Sequence, residues 1–200
     1  MKNYNYRKIR NSVIRLVHQA CASKENEFQS RTWECHIMPV VNHSLKLGKL
    51  LKADLEVLEL AAYLHDIASI SNVKYVEKHH TYGAQMAKQI LRKLNYPEYR
   101  INLVTKCILT HRGSIKARRD TLEAKILASA DAMSHFSKLV EMFYLAFKIH
   151  GYTTKQGVPW LKGKLERSWR KIMPEGKKMI EEDYRIAMKI LNKANNSCLL

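Results

Sequence analysis

Residues 54–66 read DLEVLELAAYLHD, and this stretch decides the fold class. Asp54 is suited to cap the N-terminus of a helix, and apolar residues occupy nearly every side of the segment that follows. A helix that is apolar all round is buried, so the stretch predicts a central helix. Its last turn delivers His65 and Asp66, two polar side chains that can bind metals, at the edge of a core.

Elsewhere, apolar residues recur at spacings of three and four, the pattern of amphipathic helices, and no useful length alternates with the period of a strand. Asp120 and Glu123 match an N-terminal capping pair. Residues 69–80 read as a loop and residues 151–160 as a connector. The prediction is an all-α bundle of about six to eight helices, over residues 4–22, 36–51, 54–66, 82–94, 100–110, 120–150, 160–172 and 175–194.

Length and composition indicate one globular domain over residues 1–200, with 46% apolar residues and no linker-like stretch. No segment has the apolar length of a signal peptide or a membrane span, so we expect a cytoplasmic protein. The four cysteines are scattered, which argues against a disulfide framework and a cysteine zinc site.

The formal net charge is +17, and the basic residues are spread along the chain rather than gathered in a tail. A field of that sign attracts phosphates on nucleotides, nucleic acids or anionic lipid surfaces. A solvated basic surface without a specific partner is an equal alternative. Nucleic acid therefore enters as a candidate partner only.

Polar residues suited to a metal fall near the predicted helix ends. His36 opens one helix, His65 and Asp66 close another, and His111 closes a third. His79 or His80 precedes a further helix, and Asp131 lies within one. Imidazole and carboxylate ligands together favour a divalent first-row transition metal over a centre that prefers sulfur.

The order of these residues resembles the HD-domain superfamily of metal-dependent phosphohydrolases. The resemblance covers residues 33–136 through CHIMPVVNHSLKLGKLLKADLEVLELAAYLHDIA, HHTYGAQMAKQIL, ILTHRG and EAKILASADAM. The chain departs from the common pattern at Pro39, Ala68 and Ser129. Residues 151–200 lie outside the resemblance as a C-terminal helical extension, whose aromatic and methionine residues suit core packing or a homodimer interface.

The resemblance implies that one divalent ion of iron, manganese, cobalt, nickel or zinc binds His36, His65, Asp66 and Asp131. A second ion is an open alternative, in which His79 and His111 join Asp66 as a bridge. His80 is the less favoured substitute for His79. These histidines are otherwise contacts to substrate phosphate, or structural.

The activity that the resemblance implies is hydrolysis of a phosphate ester of a nucleotide or another small phosphorylated molecule, by a metal-activated water. Asp66 is the catalytic candidate, since it can orient that water or take its proton. Cations in flanking loops are candidates for phosphate binding: Lys74, Arg112, Arg118 and Arg119. An HD-type nuclease and a non-catalytic binding module stabilised by a metal remain alternatives.

Overall fold

The structure is a computed structural model that describes residues 4–114 and 117–197. All regular elements in those ranges are helical, which confirms the all-α class. Of the eleven α-helices there, eight are at least ten residues long, in keeping with the predicted six to eight. Their bounds are α1 Tyr6–Cys21, α2 Met38–Leu51, α3 Leu55–Leu64, α4 Ile67–Ser71, α5 His79–Lys93, α6 Glu98–Thr110, α7 Leu122–Ser137, α8 Leu139–Tyr144, α9 Thr154–Lys171, α10 Pro174–Met179 and α11 Glu181–Ser197.

The helix α3 is the central helix that its sequence predicts. The Asp54 carboxylate accepts hydrogen bonds from the backbone N–H groups of Glu56 and Val57, at 3.1 and 3.2 Å, and so caps its N-terminus. Residues 57–64 are all buried, and the helix packs against α1, α2, α6 and α7. The buried carboxylate of Glu59 accepts a hydrogen bond from Arg10 Nε at 2.7 Å.

The helix α7 separates two apolar clusters. On one side Leu127 and Ala130 join a cluster built from α1 to α6. On the other side Met133 and Phe136 join a cluster that contains α8, α9 and α11. Asp131 therefore lies in the layer between the two clusters, where both the first helices and the C-terminal extension can reach it.

The prediction of one long helix over 120–150 is wrong. The helix α7 ends before Lys138, and the chain continues as α8 and a π-helical segment, Leu145–Ile149. Glu141 of α8 pairs with Arg31 at 2.6 Å, which holds the new direction. The capping pair is also wrong: Thr121 caps α7 by accepting from Ala124 N at 3.2 Å, while Asp120 pairs with Lys106 and Arg118.

Two predicted irregular stretches also contain helix. Residues 69–80 include the end of α4, a 3₁₀ turn at Val73–Tyr75 and the start of α5 at His79. The predicted connector over 151–160 is wrong beyond residue 153, since a capping box of Thr153 and Gln156 starts α9 ahead of Pro159. Among the described residues, none of these helices has both the length and the apolar character needed to cross a bilayer.

Candidate metal centre

Five chain segments deliver the predicted polar residues to one place. A π-helical turn at Trp33–Ile37, the ends of α3 and α6, the start of α5 and the middle of α7 supply them. The C-terminal ends of α3 and α6 bring partial negative charge, which suits a cation. The residues are His36, His65, Asp66, His79, His111 and Asp131.

His36 lies within the π-helical turn rather than at a helix entrance, which corrects the predicted start near residue 36. The N–H of Met38 bonds the Trp33 carbonyl five residues earlier, and this widens the turn. Pro39 has no N–H and follows directly, in the first turn of α2, where proline is tolerated.

The ligand atoms form two groups, in each of which they lie within 4.8 Å of one another. The first group is His36, His65 and Asp131, with the Nε2 atoms of the two histidines 3.1 Å apart. The second group is Asp66, His79 and His111, with the histidine Nε2 atoms 3.2 Å apart. His80 belongs to neither group.

Asp66 stands between the two groups. Its Oδ2 lies 3.3 Å from His36 Nε2 and 3.6 Å from His65 Nε2. Its Oδ1 lies 3.5 Å from His79 Nε2 and 3.6 Å from His111 Nε2. That Oδ1 is buried without a hydrogen-bond partner, an arrangement that is costly unless a cation completes it. The carboxylate thus has one oxygen toward each group.

All four histidines present Nε2 to the centre because Nδ1 is engaged elsewhere. Nδ1 of His65, His79 and His111 lies 2.6–2.8 Å from the carbonyl oxygen three residues earlier in the chain. His36 Nδ1 lies 3.2 Å from Ser134 Oγ, whose own hydrogen goes to the Asp131 carbonyl at 2.7 Å. Nδ1–H therefore donates in each case, which leaves Nε2 as the ligand atom when the ring is neutral.

These distances fit a metal. Bonds of about 2.0–2.1 Å to a tetrahedral or octahedral cation place neighbouring ligand atoms about 2.8–3.4 Å apart. The two Nε2 pairs fall in that range. Neutral imidazoles that point their lone pairs at each other repel unless a positive charge lies between them. The two groups could therefore each hold a metal ion.

The protonation states of the aspartate and histidine side chains also suit metal binding. Burial alone would raise the pKa of Asp66, but the surrounding imidazoles, His65 foremost, hold it well below its usual range. Burial lowers the pKa of His65 to about 4, so this ring is neutral at neutral pH. Burial also opposes protonation of His36, but the Asp66 and Asp131 carboxylates raise its pKa above the ordinary value. A proton on His36 thus competes with a metal.

A lysine from the C-terminal extension enters the centre. Lys171, the last residue of α9, places Nζ 2.5 Å from Asp131 Oδ2 and 3.2 Å from the His111 carbonyl oxygen. Burial would raise the pKa of Asp131, and the ammonium of Lys171 is the main group that keeps it well below the usual range. Ser129, a departure from the common pattern, accepts a hydrogen bond from Met173 N at 3.1 Å and fixes the chain after α9.

The centre opens into a cavity of about 470 Å³. Arg112 is the one predicted phosphate-binding residue on its wall, where it also donates to the Glu77 carbonyl. Arg119 lies behind it and donates to the Arg112 carbonyl at 3.2 Å. Lys74 and Arg118 lie elsewhere: Lys74 is exposed over the Tyr75 ring, and the Arg118 side chain is 92% exposed beside Asp120.

Sequence reasoning missed several residues on the cavity wall, namely Ser134, His135, Lys164, Arg167 and Lys171. The spacing of these residues along the sequence could have identified them. Residues 134 and 135 follow Asp131 by three and four positions, the spacing of one helix face. Residues 164, 167 and 171 repeat that spacing as a basic row on α9.

The fold and this centre define a class, a helical protein with a histidine and aspartate cluster able to hold a metal. The family model of the HD domain matches residues 34–135, half of the chain, so the chain belongs to the HD-domain family. Membership supports a metal-dependent hydrolase in general.

Among solved structures, the chain is similar to a crystal structure described as a predicted HD superfamily hydrolase from an uncultured Thermotogales bacterium. The identity is 18%, the match covers 92% of this chain and 89% of the other, and the TM-score is 0.63. At that identity the likeness shows the fold alone. No curated protein matches the chain.

Proposed function

We propose that the protein hydrolyses a phosphate ester of a nucleotide or another small phosphorylated molecule and needs a divalent metal to do so. The observation that carries the proposal is the convergence of four histidine Nε2 atoms on the two oxygens of Asp66. A carboxylate shared in this way suits two metal ions, so the alternative with a second ion is the one we adopt.

In this proposal His36, His65, Asp66 and Asp131 would hold one ion, and His79 and His111 together with Asp66 would hold the second. Iron, manganese, cobalt, nickel and zinc all suit imidazole and carboxylate ligands, and the donor set does not choose among them. Divalent ions bound there would lower the pKa of water and neutralise charge on phosphoryl oxygens.

The chain's own residues complete the site. Asp66 is ionised and central, so it can orient an attacking water beside the ions that it would bind. Arg112 on the cavity wall can donate charge-assisted hydrogen bonds to a phosphate, with the loop behind it fixed by Arg119. The cavity size suits a small substrate better than a duplex nucleic acid.

Purified protein, analysed for bound elements and screened with nucleotides and phosphate esters under several divalent metals, tests the proposal. We expect about two metal ions per chain and metal-dependent release of phosphate, and a content of one would leave only the first group as a metal site. Single-stranded DNA and RNA belong in the same screen, since cleavage of these alone would favour the nuclease alternative. Bound metal without turnover on any phosphate ester or nucleic acid would favour the binding module.

A further inference from the structure

A row of cations on α9 leads away from the metal centre along the cavity. Lys164, Arg167 and Lys171 all line the cavity, whereas Arg170 on the same helix does not. Lys171 is at the centre, in contact with Asp131. Because a helix rises 1.5 Å per residue, the backbone of Arg167 lies about 6 Å, and that of Lys164 about 10.5 Å, back along α9 from Lys171.

Two cations of this row take part in none of the ion pairs among the described residues. Lys171 pairs with Asp131, and Arg31, across the cavity, pairs with Glu141. Lys164 and Arg167 have no carboxylate partner among the residues that the structure describes. Burial lowers the pKa of the Lys164 ammonium, the Asp131 carboxylate opposes that shift, and the positive charges of Lys171 and Arg167 add to it.

The two cations lie one helical turn apart on the cavity wall, and Nζ of Lys164 lies 5.9 Å from the centroid of the Trp160 ring. Nη1 of Arg167 is 3.2 Å from the position that a Cβ on Gly163 would occupy, so the guanidinium folds back over the turn that carries Lys164. Like charges held together on a cavity wall repel unless an anion lies between them. Arg provides a planar donor fork and Lys a compact charge, a pair suited to phosphoryl oxygens.

We propose that Lys164 and Arg167 form a second anion subsite, which binds a phosphoryl group linked to the one that the metal centre holds. The substrate then carries two linked phosphoryl groups, with the cleaved group at the metals and its neighbour on α9. This inference rests on the proposed function for the role of the first group. The subsite itself comes from the C-terminal extension, outside the residues that the family model matches.

Equilibrium binding of inorganic pyrophosphate and inorganic phosphate to the full chain, loaded with Mn²⁺ and freed of excess metal, tests the subsite when it is measured before any pyrophosphate is hydrolysed. We expect wild type to bind pyrophosphate roughly tenfold more tightly than phosphate, as one additional set of charge-assisted hydrogen bonds allows. Lys164→Met and Arg167→Met should each remove most of this preference and change phosphate binding little. Lys164→Arg should retain it.

Arg170→Met is the matched control, because it removes the same charge from the same helix outside the cavity. Its preference should equal that of wild type. Equal affinity of wild type for the two anions, or an equal loss in Arg170→Met, overturns the subsite. A chain that prefers pyrophosphate but releases no phosphate from any ester with any metal would retain the subsite and refute the proposed function.

Discussion

Nζ of Lys171 lies 2.5 Å from Oδ2 of Asp131, although 40 residues separate the two along the chain. The same ammonium lies 3.2 Å from the carbonyl oxygen of His111, so one side chain of the C-terminal extension touches residues of both histidine groups. Both partners of the ion pair are nearly excluded from solvent. The extension therefore supplies charge inside the candidate centre as well as packing around it.

Lys171→Met should destabilise the metal-free protein and tighten metal binding. The change leaves the Asp131 carboxylate buried without its main counter-charge, which costs about 3 kcal/mol. It also removes a positive charge that opposes an incoming cation. Urea unfolding in EDTA measures the first effect and titration with Mn²⁺ measures the second.

Lys171→Arg keeps the charge at this position and serves as the matched control for Lys171→Met. Its free energy of unfolding and its Mn²⁺ affinity should both lie near those of wild type. Any remaining difference would reflect the larger head group, which must fit beside His111. Weaker Mn²⁺ binding in Lys171→Met than in wild type would contradict the view that the ammonium competes with the metal.

Asp66→Asn should lose metal from both groups, whereas His79→Ala should lose it from the second group alone. Asp66 has an oxygen toward each group, while His79 belongs to one. Loss of even an outer partner of a ligand costs about 10–100-fold in affinity, so loss of the shared ligand should reduce turnover by more than about 100-fold.

Elemental analysis of the purified variants measures this difference as metal ions per chain. Asp120→Asn removes an exposed carboxylate that belongs to neither ligand group, so this variant should retain the wild-type metal content. His65→Ala and Asp66→Ala should lose both metal and activity, and wild-type turnover in either of them would refute the assignment of the site.

Metal affinity should fall as the pH falls through the pKa of His36, which lies above its ordinary value of 6.5. The protonated ring cannot be a ligand, so a metal must displace a proton and binding strengthens as the pH rises. His65, with a pKa of about 4, is already neutral and adds no change near pH 7.

Competition titrations with Mn²⁺ between pH 5.5 and 8.5, roughly the range over which histidine charge changes, check this sign. Calorimetry in two buffers with different ionisation enthalpies should show proton release on binding. An affinity that does not change across this range, or that rises toward low pH, would remove His36 from the set of ligands.

The parts of the structure that the sequence predicted depend on local chemistry. Asp54 and the apolar residues around α3 specify a capped, buried helix without reference to any distant contact. The resemblance to the HD-domain pattern supplied the six candidate ligands, with His80 as the alternative to His79, and the structure brings those six together. Whether they bind metal stays a prediction.

The parts that failed depend on contacts between distant segments. The break at Lys138 has no proline or glycine to mark it, and the Arg31 to Glu141 pair that holds α8 spans 110 residues. The contact between Lys171 and Asp131 leaves no trace in hydrophobic periodicity for the same reason. The capping box that starts α9 was local, but Gly157 and Pro159 behind it suggested a connector.

Arg112→Met and Arg118→Met should separate a phosphate contact from a solvated charge. The two residues lie six positions apart in the same basic segment, but only Arg112 lines the cavity. Loss of its charge-assisted hydrogen bonds should raise KM roughly tenfold with a smaller effect on kcat, if the contact is equal in the ground and transition states. Arg118→Met should leave KM unchanged, because the Arg118 side chain is 92% exposed beside Asp120.

Steady-state kinetics on the best substrate of the metal screen measure both variants. Arg112→Lys keeps a charge but not the fork, so its KM should lie between wild type and Arg112→Met. Equal increases of KM in Arg112→Met and Arg118→Met would mean that the general positive field, rather than a direct contact, attracts the substrate. Salt then distinguishes the two cases further, because a long-range field is screened over about 8 Å at physiological ionic strength, whereas a contact inside the cavity is screened much less.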